Sequence, residues 1–319
     1  MDTNESIDTL VLGGGGMKCI SYLGCIQCLM KHKILEPSLS NIKKIYCVSG
    51  GMIYILPLLL GYTIESTIEL FVGIDNTTFL SEENISFSNL FEYYGFFPQT
   101  FYDLCMERIF SGKNKRKDLT LQELYETSNI ELIAHTVNIS KQINCYISHK
   151  THPNLSLVTL LKMTTAIPFI FQSVIYQGDH YLDGGLITPI PPEPFESPRT
   201  IGMCPQKMKQ CKIDSFMDFV PAVYLAGYTK CLRFPNLIEI TTCVSCMDLH
   251  IGKQEKKQVI QEGFNQTIPW VSNYKQSCNS RHLKPGLLDK PCSKKSVFDR
   301  WEAIVLRRIF RAYFRGDSL

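Results

Sequence analysis

A run of four glycines interrupts the start of the chain: Thr9-Leu10-Val11-Leu12 leads directly into Gly13-Gly14-Gly15-Gly16. Neither a strand nor a helix runs through such a segment, because glycine loses the most backbone freedom on ordering and offers no side chain to pack. The chain must turn there. Apolar residues resume at Ile20, Leu23, Ile26 and Met30, a helical spacing. The reading is strand, glycine turn, helix. Residues 44–48 repeat the plan, breaking at Ser49-Gly50-Gly51 and running into a helix from about residue 52 to near Gly61. In both units a helix N-terminus is aimed at whatever sits in the turn.

The rest of the chain alternates in the same way. Residues 65–128 read as mostly helical, with a helix over 119–127 capped by Asp118 or Thr120. Residues 130–139 and 143–149 read as strands, and 155–165 as a helix. A hairpin over 174–182 turns at Gln177-Gly178-Asp179, and Asp183-Gly184-Gly185 and a proline-rich loop over 189–198 follow. A last strand over 237–241 precedes a helix over 248–264. Alternating strands and helices predict an α/β sheet with helices on both faces.

Composition narrows the function classes. The formal net charge of +3 is uneven: residues 281–319 hold ten Lys or Arg and four acids, a tail of +6, while the remaining 23 basic and 26 acidic residues give −3. A slightly acidic body with a basic tail is not the pattern of a nucleic-acid binder. The 13 cysteines are too sparse for a disulfide scaffold, and the first residues lack the pattern of a signal peptide. Free thiols and a cytoplasmic, reducing setting are expected. Residues 45–64 carry no charge, but Ser49-Gly50-Gly51 and Pro57 interrupt them, and a buried strand–turn–helix fits better than a membrane span.

Three segments carry chemistry. Glycines at a strand end let backbone N–H groups converge on an anion, with the next helix dipole behind them. The spacing to Lys18 does not fit a P-loop, and a plain tight turn remains an alternative. Cys47-Val48-Ser49-Gly50-Gly51 approximates a nucleophile elbow, in which a strained turn exposes a serine hydroxyl, with Cys47 in place of the first glycine. Asp183 in Asp183-Gly184-Gly185 is either a turn former or a base facing Ser49.

Together these segments resemble the patatin-like phospholipase family, including compact versions carried by large DNA viruses. Residues 10–18 are similar to its glycine-rich oxyanion loop. Residues 47–51, with the apolar helix and Leu60-Gly61-Tyr62-Thr63, are similar to its elbow and helix. Thr165-Ala166-Ile167-Pro168-Phe169 and Tyr181-Leu182-Asp183-Gly184-Gly185 are similar to two further motifs. The resemblance implies a three-layer α/β/α fold with a mainly parallel sheet and a Ser49–Asp183 dyad without a catalytic histidine. It implies an oxyanion hole from the N–H groups of Gly14, Gly15, Gly16 and Met17. Lys18, Gly50, Gly51, Gly184 and Gly185 support it, and neither cofactor nor metal is needed. The implied activity is hydrolysis of fatty-acyl esters of glycerophospholipids through an acyl-serine. A non-catalytic lipid-binding or membrane adaptor is the alternative. Two residues depart from the pattern: Cys19 and Cys47 stand at usual glycine positions.

Other candidates weigh less. His180 lies three residues from Asp183 on a predicted strand and should face away from it, against a triad. Cys243, Cys246 and His250 have only partial zinc spacing and read as buried free thiols, as do Cys25 and Cys28. Ile53, Leu56 and Phe169 are candidates either for an acyl channel or for the core. The expected organisation is an acyl-hydrolase domain over 1–270 and an extension over 271–319, opening with a polar linker over 271–296. Residues 297–314 place Phe298, Trp301, Val305, Ile309 and Ala312 opposite five arginines, an amphipathic helix suited to an anionic membrane surface. Peripheral membrane attachment through residues 297–315 is the corresponding partner expectation, and a terminal helix docked on the domain, which Glu302 within the apolar arc favours, is the equal alternative.

Overall fold

The first strand, β1 (Thr9–Leu12), is buried along its whole length and forms parallel ladders with a strand on each side. Such a strand has no polar face, which is why it reads as an unbroken apolar run. A computed structural model gives this architecture and describes residues 6–75, 87–206, 216–227, 236–248 and 250–280, with Ile213 and Phe234. The amphipathic segment over 297–314 lies outside the described residues.

After β1 a 3-10 turn, Gly16–Ile20, enters α1 (Ser21–Lys31). Then come β2 (Lys44–Val48), α2 (Gly50–Leu59) and α3 (Ile64–Gly73), the last capped by Thr63. The predominantly helical stretch contains α4 (Phe87–Tyr93), α5 (Thr100–Ser111) and α6 (Leu121–Ser128), with one short strand between, β3 (Gly95–Phe97). Thr120, not Asp118, caps α6, and Glu123 completes a capping box. Next are β4 (Glu131–Asn138), β5 (Ile143–Ile147), α7 (Leu157–Thr164), β6 (Phe169–Phe171), β7 (Val174–Tyr176) and β8 (Asp179–Asp183). The chain continues through β9 (Thr200–Pro205), α8 (Phe216–Gly227), β10 (Leu237–Ile240) and α9 (Lys253–Ser280).

The main sheet runs β10-β9-β1-β2-β4-β8-β7, with β5 also paired to β4. From β10 to β4 every pairing is parallel; β4–β5, β4–β8 and β7–β8 are antiparallel. Helices lie on both sides of this mostly parallel sheet, as expected. A two-stranded sheet, β3–β6, stands apart from it.

Two expectations change. Residues 200–205 were not read as a strand, yet β9 lies inside the sheet between β1 and β10. The helix expected over 248–264 continues to Ser280, through Pro269 and into the stretch read as a linker. Its polar composition disguises an inward side on which Thr267 and Val271 are buried.

Helix α9 packs on α1 at backbone distance. A Cβ built on Gly24 would collide with the Ile260 carbonyl and stand 2.7 Å from the Phe264 nitrogen, and one on Gly263 would collide with the Ser21 carbonyl. Neither neighbour is a flexible side chain, so the helices would have to separate. Gly24→Ala is expected to lower the unfolding free energy by about 1–3 kcal/mol in chemical denaturation. An unchanged midpoint and slope would contradict this packing.

Candidate active site

Strand β4 has two edges, and its pairings show how they are used. Ala134 and His135 pair with both β2 and β5, so those two strands lie on opposite edges. Residues 136–138 pair with both β5 and β8, so β8 shares the edge of β2. Val48 is opposite His135, and Asp183 is opposite Thr136. The C-terminal ends of β2 and β8 therefore meet one residue apart. Ser49 leaves the first and Asp183 ends the second.

Ser49 is the N-cap of α2, with φ 51° and ψ −130°. A non-glycine residue held there carries about 1–3 kcal/mol of backbone strain. Its surroundings impose that conformation. The Ser49 N–H donates to Thr164 Oγ1 at 3.0 Å, and that hydroxyl donates to the His135 carbonyl at 2.7 Å. A Cβ on Gly50 would stand 2.7 Å from the Gly16 carbonyl oxygen, and one on Gly51 2.6 Å from that of Leu12. Glycine is required at both positions because the elbow is pressed onto the glycine loop.

Within that loop Gly13 N–H donates to Met203 O at 2.9 Å and Gly14 N–H to Pro189 O at 2.7 Å. Met17 N–H donates to Cys246 O at 2.9 Å. Gly14 and Met17, both in the expected oxyanion set, thus already have protein acceptors. Gly15 and Gly16 N–H groups have none among the described residues. Gly16 has φ +55° and packs against the Cys246 carbonyl with no room for a Cβ. Lys18 is buried, and its carbonyl accepts the Ser21 hydroxyl at 2.7 Å.

Asp183 is 4% exposed and Ser49 6%. Asp183 Oδ1 accepts the Gly185 N–H at 2.7 Å. Burial pushes the carboxyl up to about 7, against the pull of hydrogen-bonding interactions from the Ser49 side chain and the Gly185 N–H. Gly184 sits on His135: a Cβ there would come within 2.5 Å of its carbonyl oxygen and 2.7 Å of its ring. A carboxyl poised near neutrality beside a serine hydroxyl can take and return that hydroxyl's proton.

His180 turns elsewhere, with Nδ1 2.9 Å from Ser173 Oγ and its ring edge-on to Tyr94. His135, which sequence reasoning missed, is buried and stacked on Tyr146, and burial brings its pKa down to about 4. Cys25 and Cys28 are buried as expected, but Cys243 is exposed and Cys246 half-buried, because the segment after β10 lies near the surface. Among the described residues, no helix is long and apolar enough to cross a membrane.

Ser49, Gly50 and Met17 line a pocket holding about 980 Å3 of space between atoms, open solvent at its mouth included. Its walls are almost wholly apolar and include Ile53, Tyr54, Tyr102, Met106, Leu161 and Phe171. Ile53 lies where expected. Leu56 is instead fully buried in the core, and Phe169 is 52% exposed with φ 66°. The wall from α5 was missed, since its residues have no distinctive sequence pattern.

Fold and site define an α/β protein with a strained serine facing a buried carboxyl beneath a glycine loop. The family model for patatin-like phospholipases matches residues 10–195, and the chain belongs to that family. It is similar to an uncharacterised protein of Acanthamoeba polyphaga mimivirus, 25% identical over 82% of this chain and 93% of that one. It is also similar to a probable lipid hydrolase of Invertebrate iridescent virus 6, 28% identical over 56% of this chain and 59% of the relative. Among solved structures, VipD from Legionella pneumophila aligns with TM-score 0.58 and 17% identity over 84% of this chain and 67% of its own. The type III effector ExoU aligns with TM-score 0.50 and 12% identity over 84% and 53%. At these identities the structural likeness is one of fold.

The raised Asp183 pKa has a consequence for stability. An unfolded aspartate titrates near 4, so between roughly pH 4 and 7 the folded chain holds a proton that the unfolded chain has released. Stability falls as pH rises through that window and levels off above it. Asp183→Asn lacks this dependence. Relative to wild type, the variant should gain on the order of 4 kcal/mol in unfolding free energy between pH 4 and pH 8. A pH-independent difference between the two would mean an ordinary carboxyl.

Proposed function

We propose that this chain is a lipid acyl hydrolase that cleaves fatty-acyl esters of glycerophospholipids by a Ser49–Asp183 dyad. Membership of the patatin-like family supports a lipid-hydrolysing enzyme, and so does the viral relative named as a probable lipid hydrolase. The observation that carries the dyad is the meeting of β2 and β8 on one edge of β4, which sets the buried Asp183 carboxyl beside a serine held at positive φ.

In this mechanism the Asp183 carboxylate accepts the Ser49 proton as Oγ bonds to the ester carbonyl carbon. The carbonyl π electrons move to oxygen. The N–H groups of Gly15 and Gly16 hold that oxyanion, assisted by the N-terminal end of α2. Collapse breaks the bond to the alcohol, which leaves with the proton from Asp183. Water then attacks the acyl-serine, gives its proton to Asp183, and the carboxylate returns it to Ser49 as the fatty acid departs. The apolar cavity receives the acyl chain. Peripheral attachment to an anionic surface through residues 297–315 rests on the sequence alone.

A fluorophosphonate probe tests the enzyme directly. Wild type should be labelled and Ser49→Ala should not, whereas an unlabelled wild type beside a labelled control hydrolase would favour the adaptor reading. Asp183→Asn should lower kcat by about 10²–10⁴-fold. Because Asp183 acts in its ionised form, kcat/KM should rise with pH to a plateau above an inflection at about 7. A profile flat from pH 5 to 8 would remove Asp183 as the base.

A further inference from the structure

The wall of the cavity at Ser49 carries one charged side chain among the described residues, Lys256 of α9. It is 2% exposed, and its Nζ donates to the carbonyls of Ile74 at 2.6 Å and Phe71 at 3.2 Å. These carbonyls lie at the C-terminal end of α3, where the last turn leaves acceptors unpaired and the helix dipole is negative. Burial pulls the ammonium's pKa down, and Asp75 opposes that shift. A cation at a helix C-terminus fits the ammonium and explains how it is kept inside an otherwise apolar wall.

A chain of contacts places Lys256 relative to the nucleophile. Ile53 and Tyr54 line the cavity one turn along α2 from Ser49. The Tyr54 ring meets the Phe71 ring at 4.7 Å between centroids, and the Phe71 carbonyl accepts the Lys256 ammonium. Lys256 therefore stands on the α3 and α9 side of the cavity, away from Ser49. Its backbone is held as well, because the next turns of α9 are pressed onto α1 at Gly24 and Gly263. A methylene chain reaching Lys256 meets a side chain whose ammonium is already committed to two carbonyls. Hydrocarbon cannot replace those bonds, and stripping them would leave a buried charge unpaired.

We propose that Lys256 is a specificity-determining residue: its side chain is the stop that limits the length of acyl chain the cavity accepts. This inference rests on reading the cavity as the acyl site and adds a length limit to it. Lys256 touches no reacting atom, so its effect belongs to chain selection rather than to the chemical step.

The test uses the full chain as wild type, Lys256→Ala and Lys256→Met. Binding of octanoate, dodecanoate, hexadecanoate and octadecanoate is measured by displacement of a fluorescent fatty acid, beside kcat/KM for p-nitrophenyl esters of the same lengths. In wild type, affinity should climb with chain length and then stop climbing. Lys256→Ala removes the stem and should move that limit to longer chains, raising the hexadecanoate-to-octanoate affinity ratio about tenfold or more. Lys256→Met keeps an unbranched stem of similar bulk but loses the ammonium's anchor, and should shift the limit by less than Lys256→Ala. Should Lys256→Ala fail to fold, Lys256→Gln, shorter yet still a donor to the α3 carbonyls, should shift the limit the same way by less.

An unchanged limit in a folded Ala or Gln variant overturns the proposal, and so does an equal shift in Lys256→Met. Absence of fatty-acid binding in wild type overturns the acyl-site reading and the stop with it. Length-limited binding by a wild type that no fluorophosphonate labels would sink the hydrolase and leave the stop standing.

Discussion

Two strands run toward each other along one edge of β4 and end where they meet, and this brings Ser49 beside Asp183. Strand β2 occupies residues 131–135 of that edge and β8 residues 136–138. Neither can lengthen without displacing the other, so both chains must leave the sheet at the same point. One leaves by the strained turn into α2, the other by the 3-10 turn Gly184–Leu186. The two side chains are thereby referred to a common hydrogen-bonded frame rather than to loops, the kind of support a precise site needs.

The electrostatics at this junction follow from what is absent as much as from what is there. Among the described residues, the influences on Asp183 are its own burial, the Ser49 hydroxyl and the Gly185 N–H. A cation beside it would have drawn its pKa down and made it a weaker base. Lys18, on the loop facing the site, bears on the Cys204 thiol instead, countering the rise that burial and Glu239 impose there. Burial alone therefore tunes the carboxyl, and hydrogen bonding limits how far. That balance depends on the apolar walls staying closed over the site, which ties the chemistry to the packing of α2 and α7 above the sheet.

The sequence was most legible where local pattern and global role coincide. The unbroken apolar runs of β1 and β2 show in one dimension that both faces are covered, and the glycines after them mark the turns. Strand β9 was not legible: Thr200-Ile201-Gly202-Met203-Cys204-Pro205 is interrupted by glycine and ends in proline after a proline-rich loop. It is a strand because β1 and β10 offer partners on both sides, information held elsewhere in the chain. The same is true of the glycine loop. Its glycines announce converging N–H groups, but nothing local reveals that Pro189 and Cys246 supply carbonyls to two of them. Lys256 is a third case. In sequence it is one lysine among several at the start of a polar helix, and only the fold turns it inward.

The two cysteines at usual glycine positions show that the glycines of such a motif are not equivalent. Gly16, Gly50 and Gly51 each face backbone atoms at distances that no side chain tolerates. The Gly50 and Gly51 contacts form the clamp between the loop and the elbow, Gly16 is pressed onto the Cys246 carbonyl, and backbone cannot give way as a side chain can. Cys47 and Cys19 instead occupy fully buried positions that hold a small side chain. The Cys47 side chain is wholly buried in the core, where burial pushes its thiol well above the ordinary range. Cys19 is equally buried and directs its thiol to the Gly13 carbonyl at 3.6 Å, an acceptor it shares with the Tyr22 hydroxyl at 2.8 Å. Both thiols are kept neutral by burial, so neither competes with Ser49 as a nucleophile. A small apolar side chain meets the physical requirement at these two sites, whereas at the clamp only the absence of a side chain does.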